Sequence, residues 1–424
     1  MSNFSVDNRG TSAAVADDNV MAVEYRGTQG PLFRLGLVTA ILTFLTLGLY
    51  RFWAKTRMRK YFWSATAPGG DPFEYTGNGL EKLLGFLIAV AFLAIYLGLL
   101  QVILSFAGMS VFSGGDEDQF ALQILFGQAT FILILPFIFY AQYRARRYIL
   151  SRTRWRGIRF GVEPAAWGYV IRAIGHTLLT IITLGLLLPR QTFGLEKFRV
   201  DRTWYGNVKF EQGGRWTALY RSMKHLFIAA ALIIIPTILA LLGELPVLFV
   251  FTFVGYIWAI YGVVFYQVDS FRVMANEKIL GGEIKFQTAP VPSKVFWTYV
   301  LGGLLASTCA GLVASAFAIV GVGIMGNTSG FEAAIDSAVE AGGLSDVPMT
   351  AFFGLGLIVI GYIGTILMYG VFSLIFVQQP VLEHYVQNTA ILNGDALEDI
   401  VQRDRDEMVE AEGFADALDV GAAI

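Results

Sequence analysis

The sequence predicts an all-α polytopic membrane protein, with six transmembrane helices in three hairpins, two short re-entrant or interfacial helical hairpins and small cytoplasmic β-hairpin elements. Two observations lead to this class. All 31 Lys and Arg residues lie outside six long apolar segments, and none lies in the three loops that these segments enclose in pairs. Apolar residues make up 55% of the chain and charged residues 15%, which is too little charge for the surface of a soluble protein of this length.

Each of the six apolar segments can cross about 30 Å of hydrocarbon as a helix. The segments are residues 83–106, 120–141, 226–242, 247–266, 295–325 and 351–377. The enclosed loops, residues 107–119, 243–246 and 326–350, carry acidic residues and no basic ones. By the positive-inside rule these loops face away from the cytoplasm, and both termini are cytoplasmic.

Two shorter apolar stretches, residues 35–50 and 173–188, have about 16 residues each, which is short for a span. If both crossed the bilayer, the basic regions 190–224 and 272–294 would face outward, against the charge rule. A re-entrant or interfacial hairpin at each stretch returns every base to the cytoplasm, and we favour it. The alternative, in which the first stretch alone spans, remains open.

An internal repeat relates the two short stretches. Thr46-Leu-Gly-Leu49 recurs as Thr183-Leu-Gly-Leu186, and the same offset aligns Phe73-Glu74 with Phe210-Glu211. A gapless match of this length indicates duplication. Thr-Leu-Gly is suited to breaking a helix, because glycine tolerates the turn and the threonine hydroxyl can satisfy a freed backbone group.

A second repeat runs through the cytoplasmic ends of the returning helices. In each copy a glutamine is followed, at equal spacing, by a basic residue and then a glycine. The copies are Gln142, Arg147 and Gly157, then Gln267, Arg272 and Gly282, then Gln379, His384 and Gly394. Such duplication is common among membrane transporters and is equally a simple way to enlarge a helical bundle.

These patterns divide the chain into a disordered cytoplasmic tail (1–22), one membrane domain (23–394) and an acidic cytoplasmic tail (395–424). Within the domain, the re-entrant units are 30–80 and 164–217, and the membrane hairpins are 83–141, 226–266 and 295–377. Residues 155–160, 204–210 and 280–286 alternate around glycine and predict short β-hairpins. Together they predict a small cytoplasmic β-layer under the helices.

The sequences Leu-Thr-Leu-Gly-Leu-Tyr-Arg-Phe-Trp-Ala-Lys-Thr-Arg at 45–57, Lys-Tyr-Phe-Trp at 60–63 and Phe-Glu-Tyr-Thr-Gly at 73–77 carry a family resemblance. Residues 23–90, which contain them, resemble the YjgN-like family of bacterial inner-membrane proteins, whose function is unknown. The resemblance extends over most of the chain and weakens toward the C-terminal tail. It implies a multi-pass protein of the bacterial inner membrane, and it implies no catalytic or binding residues.

Catalytic motifs are absent from the sequence. His176, His225 and His384 lie on separate segments, and no HExxH, phosphate loop, Walker lysine or serine elbow occurs. The single cysteine, Cys309, excludes an internal disulfide and a zinc site of several thiolates. We therefore expect no enzymatic activity, no cofactor and no metal.

Two sets of residues are candidates for function or assembly. The candidate pathway or substrate contacts are Arg34, Arg172, His176, Gln142, Gln267 and Gln379. His176 is the best ionisable candidate at membrane depth, and its alternative role is a hydrogen bond to broken backbone. A stripe of small residues predicts close helix packing against the Gly-rich segment 351–377, with a second protomer as the alternative partner; the stripe is Gly302, Ala306, Ala310, Ala314 and Ala318.

Three function classes follow. Permeation or transport of a small solute or lipid is favoured; a membrane scaffold or stress-associated interaction protein, without transport or catalysis, is the alternative; an enzyme acting on lipid at the inner interface is third. Tryptophan and basic residues alternate beside the membrane segments, so the expected partner is a bilayer with an anionic inner leaflet and not a nucleic acid. A second copy of the chain and a cytoplasmic protein are further candidate partners.

Overall fold

The computed structural model describes residues 20–106, 117–243, 245–325 and 349–403. Along these residues a strand, a pair of helices and a second strand recur as a β-α-α-β unit. The strands are β1 (Val20–Tyr25), β2 (Thr66–Pro68), β3 (Glu74–Tyr75), β4 (Thr153–Trp155), β5 (Ile158–Val162), β6 (Thr203–Tyr205), β7 (Val208–Gln212), β8 (Lys278–Leu280), β9 (Ile284–Thr288) and β10 (Thr389–Leu392).

The helices lie between the strands, two long helices or two short ones to a unit, except that the last unit has a third helix, α11. They are α1 (Gln29–Leu45), α2 (Arg51–Ala65), α3 (Gly79–Phe106), α4 (Glu117–Ser151), α5 (Ala166–Ile182), α6 (Leu188–Val200), α7 (Lys224–Leu242), α8 (Phe249–Asn276), α9 (Pro292–Met325), α10 (Met349–Ser373) and α11 (Gln379–Gln387). A π-helical turn, Leu374–Gln378, joins α10 to α11. Short 3-10 turns, Trp216–Met223 and Pro246–Leu248, precede and follow α7.

The strands form one antiparallel sheet in the order β2-β1-β10-β9-β8-β7-β6-β5-β4-β3. The two strands of each unit pair with each other, and consecutive units are joined through the hairpins β4–β5, β6–β7 and β8–β9. The last strand, β10, returns to pair with β1. The two edge strands also come together, because the N–H of Phe73, just before β3, donates to the carbonyl of Thr66 in β2 at 3.0 Å. The sheet therefore curves until its edge strands meet, which covers backbone groups that an open edge would expose.

A cluster of apolar side chains fills the inside of this curve. Four phenylalanines from successive units, Phe73, Phe160, Phe210 and Phe286, lie in a row with ring centroids 6.2, 6.4 and 6.0 Å apart. Buried Trp155, Tyr205, Leu280, Ile284 and Ile391 pack with them. Because strands from both ends of the sheet contribute, this cluster fixes the curvature and not merely the pairing of neighbouring strands.

The predicted all-α class with six transmembrane helices is wrong. The described residues contain a ten-stranded sheet and five helices long and apolar enough to cross a membrane: Gly79–Ile103, Trp216–Leu242, Pro246–Asn276, Pro292–Ile324 and Phe352–Gln387. The predicted segment 120–141 lies in α4, which is not among the five. Charge-free runs locate the ends of apolar segments but contain no information on backbone pairing between them, so the charge pattern could not reveal the sheet.

The three predicted β-hairpins are present, but they belong to this single sheet and are not separate small elements. The reason is that strands this short leave backbone groups unpaired on both sides unless the neighbouring hairpins also pair. The predicted outer loops 107–119 and 326–350 and the two tails lie largely outside the described residues. Within the tails, residues 20–22 belong to β1, and Leu397 and Ile400 are buried against the inside of the sheet.

Candidate functional site

The two short helical hairpins, α1–α2 and α5–α6, end in exposed apolar tips. Leu47 is 96% exposed and Leu184 is 94% exposed, and the flanking Leu45, Leu49, Ile182 and Leu186 are also exposed. Apolar tips of this kind are unfavourable in water and favourable in hydrocarbon. The tips are therefore suited to a bilayer, and they lie at the ends of the hairpins away from the sheet.

The turn at each tip has the same structure in both hairpins. Leu47 and Gly48 have φ values of 49° and 91°, and Leu184 and Gly185 have 49° and 88°. The Thr46 hydroxyl donates to the Leu42 carbonyl at 2.7 Å and accepts the Tyr50 N–H at 2.9 Å. Thr183 makes the equivalent bonds. The helix break predicted at Thr-Leu-Gly is confirmed, and the threonine hydroxyl bridges the end of one helix and the start of the next.

Neither short hairpin is long enough to cross the bilayer. Helices α1 and α5 have 17 residues each, which corresponds to roughly 25 Å at 1.5 Å per residue, whereas α3 has 28, or roughly 42 Å. The chain turns back at both tips, and neither α1 nor α5 is among the candidate spans. Both hairpins return to the side of the sheet from which they came.

The short hairpins lie between longer ones in the order set by the sheet. Helix α1 packs on α10, where Gly36 faces Val371 and Phe33 stacks on Phe372 at 6.3 Å, while α2 contacts α3. On the other side of α3–α4, helix α4 contacts α5. The longer helices on either side of each short hairpin extend further from the sheet than the tip of that hairpin does. Among the described residues, this geometry leaves two gaps between the longer helices, one above each short hairpin.

The cationic candidates lie near the bases of the short hairpins. Arg34 is exposed on α1. Arg172 donates to the Gly168 carbonyl at 3.0 Å and lies over the Phe198 ring, 4.6 Å from its centroid. His176 faces Gly194 across the α5–α6 hairpin.

The repeated glutamines occupy three different environments. Gln142 is half-buried on α4, Gln267 is exposed on α8, and Gln379 is 2% exposed at the start of α11. The Oε1 of Gln379 is buried and has no hydrogen-bond donor among the described residues. The structure therefore does not bring the three glutamines, or Arg34 and Arg172, into one site.

The small-residue stripe of α9 faces α10 along part of its length. Gly302, Ala306 and Ala310 are buried, Ala314 is half-buried and Ala318 is exposed. A spacing of four residues advances about 40° around the helix at each step, because one turn has 3.6 residues. The last members of the stripe therefore rotate away from α10.

Other residues take over the α9–α10 contact where the stripe leaves it. Further along the two helices, Phe317 packs on Gly361, and Gly321 packs on Gly354 and Ile358. Both contacts place a glycine of one helix against the other, as expected where two backbones approach closely.

An ionic cluster that the sequence did not suggest lies between the helices and the sheet. Glu196 on α6 pairs with Arg199 at 2.8 Å and with Lys278 of β8 at 2.9 Å, and Arg146 of α4 is 4.0 Å away. Burial opposes ionisation of Glu196, but the three cations outweigh it and hold the pKa of this carboxyl well below its usual range. The cluster connects three successive units, and its only sequence signal is the i,i+3 spacing of Glu196 and Arg199.

A second buried carboxylate, also missed by sequence reasoning, lies on the sheet side of α8. Asp269 is 4% exposed; it accepts a hydrogen bond from Ser222 at 2.7 Å and pairs with Arg272 at 2.5 Å. Within the described parts of the chain, no three His, Cys, Asp or Glu side chains come together as a metal site would require. The charged groups on the sheet side thus connect helices and strands of different units. The exposed apolar features are the hairpin tips.

Comparison with known proteins places the chain in a family. Residues 20–417 match the family described as "Bacterial protein of unknown function (DUF898)". The chain belongs to this family. A curated relative, "Inner membrane protein YjgN" of Salmonella typhimurium, is 24% identical over 195 residues, which cover 40% of this chain and 45% of YjgN. The family resemblance predicted from residues 23–90 is confirmed.

The match thus spans less than half the length of YjgN. No solved structure matches this DUF898 chain. The inner-membrane location of YjgN and the five apolar helices support a multi-pass inner-membrane protein.

Proposed function

We propose that this DUF898 protein transports lipid, by letting phospholipid pass between leaflets at the gaps above its two short hairpins. The observation that carries the proposal is that Leu47 and Leu184, at the hairpin tips, are almost fully exposed part-way along the neighbouring helices. A bilayer next to a short apolar element thins locally. Thinning shortens the distance that a headgroup must travel through hydrocarbon.

A lipid fits this geometry better than a small solute crossing along the axis of the sheet. The inside of the sheet is filled by the phenylalanine row and by buried Trp155 and Tyr205. The segment after β10 adds Leu397 and Ile400 to the same cluster. A solute path through the sheet would need this packed core to open, whereas a path for lipid runs outside it.

The basic residues of the sheet side support a cytoplasmic location for it, in keeping with the positive-inside rule. Cations at the bases of the short hairpins then face the headgroups of the inner leaflet. They include Arg172 on α5 and the exposed Arg57 and Lys60 on α2. An anionic inner leaflet is attracted by about 1 kcal/mol for each such residue near the surface, which concentrates lipid at the entrances of the gaps.

The test is lipid exchange in reconstituted vesicles. Vesicles carrying a headgroup-labelled fluorescent phospholipid are treated with a membrane-impermeant quencher, and the protein should make the inner-leaflet label accessible. Leu47→Asp combined with Leu184→Asp should abolish this exchange, since an acidic residue at membrane depth is costly. The matched control is Leu242→Asp, which changes an exposed leucine at the end of a long helix and should retain exchange.

A trapped water-soluble dye distinguishes lipid exchange from a leak. Retained dye with rapid lipid exchange supports the proposal, and dye loss at the same rate indicates a pore instead. Equal exchange with and without protein rules out lipid transport and leaves the scaffold role, in which the sheet and the C-terminal segment bind a partner.

A further inference from the structure

A groove of about 500 Å³ lies beside α9, between that helix, the start of α1 and the π-helical turn after α10. One stripe of α9, including Lys294, Trp297, Leu301 and Leu305, forms its length. The spacing of these residues by three and four places them on one helix face. Phe376 of the π-helical turn forms part of the opposite wall.

The lining changes from polar to apolar along α9. Gln29, Ser293 and Lys294 lie at the sheet end of the groove, and Leu301 and Leu305 line the part that extends into the span Pro292–Ile324. From Lys294 to Leu305 the helix rises roughly 16 Å at 1.5 Å per residue. Trp297, which is 55% exposed, lies between the two ends, at the depth where tryptophan marks the membrane interface.

The charge of the groove is positive. Lys294 is the charged residue of its lining, and the lining contains no acidic side chain. Lys294 is exposed, and its ammonium makes no ion pair with any residue in the described ranges. A single uncompensated cation at one end of an apolar groove is complementary to an anionic headgroup joined to an acyl chain.

We infer that this groove binds one anionic phospholipid, with its phosphate at Lys294 and an acyl chain along Leu301 and Leu305. The inference goes beyond the proposed transport, because a lipid bound in the groove need not move between leaflets. A zwitterionic lipid has the same acyl chains but a headgroup without net negative charge. The site therefore prefers phosphatidylglycerol to phosphatidylethanolamine.

The experiment measures lipid retained by the full-length protein. The protein is reconstituted in vesicles of equal phosphatidylglycerol and phosphatidylethanolamine, extracted in mild detergent, and the lipid per chain is determined by mass spectrometry. Wild type should retain phosphatidylglycerol selectively. Lys294→Glu should lower that retention roughly tenfold, and Lys285→Glu, at an exposed lysine of β9, should leave it unchanged.

A second pair of variants tests the acyl end. Leu305→Trp should fill the groove and release the lipid, whereas Leu312→Trp, at a 67% exposed position of the same helix outside the lining, should not. Equal melting temperatures of the four variants would show that all are folded. Unchanged selectivity in Lys294→Glu, or equal retention of the two lipids by wild type, would overturn the inference. Lipid exchange in the vesicle assay is measured separately, so failure of either proposal leaves the other standing.

Discussion

Replacing Gly302 by alanine should destabilise the protein through a single methyl group. At this glycine α9 crosses the π-helical turn, and an added Cβ would overlap the Phe376 carbonyl oxygen and lie 2.9 Å from the carbonyl carbon and 3.0 Å from Val377 Cγ2. Two of these three atoms are backbone, so no side-chain rotation can relieve the overlap. Overpacking of this kind costs about 1–3 kcal/mol.

The neighbouring glycine provides a matched control. A Cβ added at Gly303 meets nothing within 4 Å, and alanine is favoured over glycine inside a helix by about 0.5–1 kcal/mol. Thermal unfolding of both variants in the same detergent should therefore show a lower melting temperature for Gly302→Ala, and an unchanged or higher one for Gly303→Ala. Equal melting temperatures would refute the close contact between α9 and the π-helical turn.

Two other substitutions test the short hairpins and the ionic cluster. Gly185→Leu should cost about 1–2 kcal/mol because of its left-handed backbone, whereas Gly175→Leu, in open space within α5, should not, as thermal unfolding would show. Glu196→Gln leaves three half-buried cations without their carboxylate and should cost about 3 kcal/mol, compared with at most about 1 kcal/mol for Glu24→Gln in an exposed pair; similar losses would contradict the assignment. The pKa of Glu196 is lower in the folded protein than in the unfolded chain. The stabilisation that Glu196 provides is therefore complete above about pH 4.5 and is lost as the pH falls below that value. Melting temperatures measured over a series of decreasing pH should fall less steeply for Glu196→Gln than for wild type.

The features that sequence predicted correctly are local. The Thr-Leu-Gly turns were identifiable because the threonine, the left-handed residue and the glycine lie within four residues. The β-hairpins were identifiable because alternation around a glycine is a short-range pattern. In each case the residues that form the structure are neighbours along the chain.

The features that sequence missed depend on contacts between distant residues. Strand β3 pairs with β4 across the whole α3–α4 hairpin, and β1 pairs with β10 from the opposite end of the chain. The Glu196 cluster likewise draws cations from α4 and β8 as well as from its own helix. A strand of two or three residues has too little pattern to specify its partner, so only the assembled sheet reveals these pairings.

The curved sheet accounts for the arrangement of the membrane helices. Each β-α-α-β unit contributes two paired strands, which occupy about 9.6 Å of sheet at about 4.8 Å per strand. Neighbouring helices pack at about 8–10 Å, so the two helices of a unit need about 16–20 Å side by side, but the pairing of its strands does not depend on how long those helices are. A unit with short helices therefore keeps its place in the sheet while withdrawing protein from the far side of the membrane. Among the described residues, the gaps above α1–α2 and α5–α6 follow from the shorter helices of these two units.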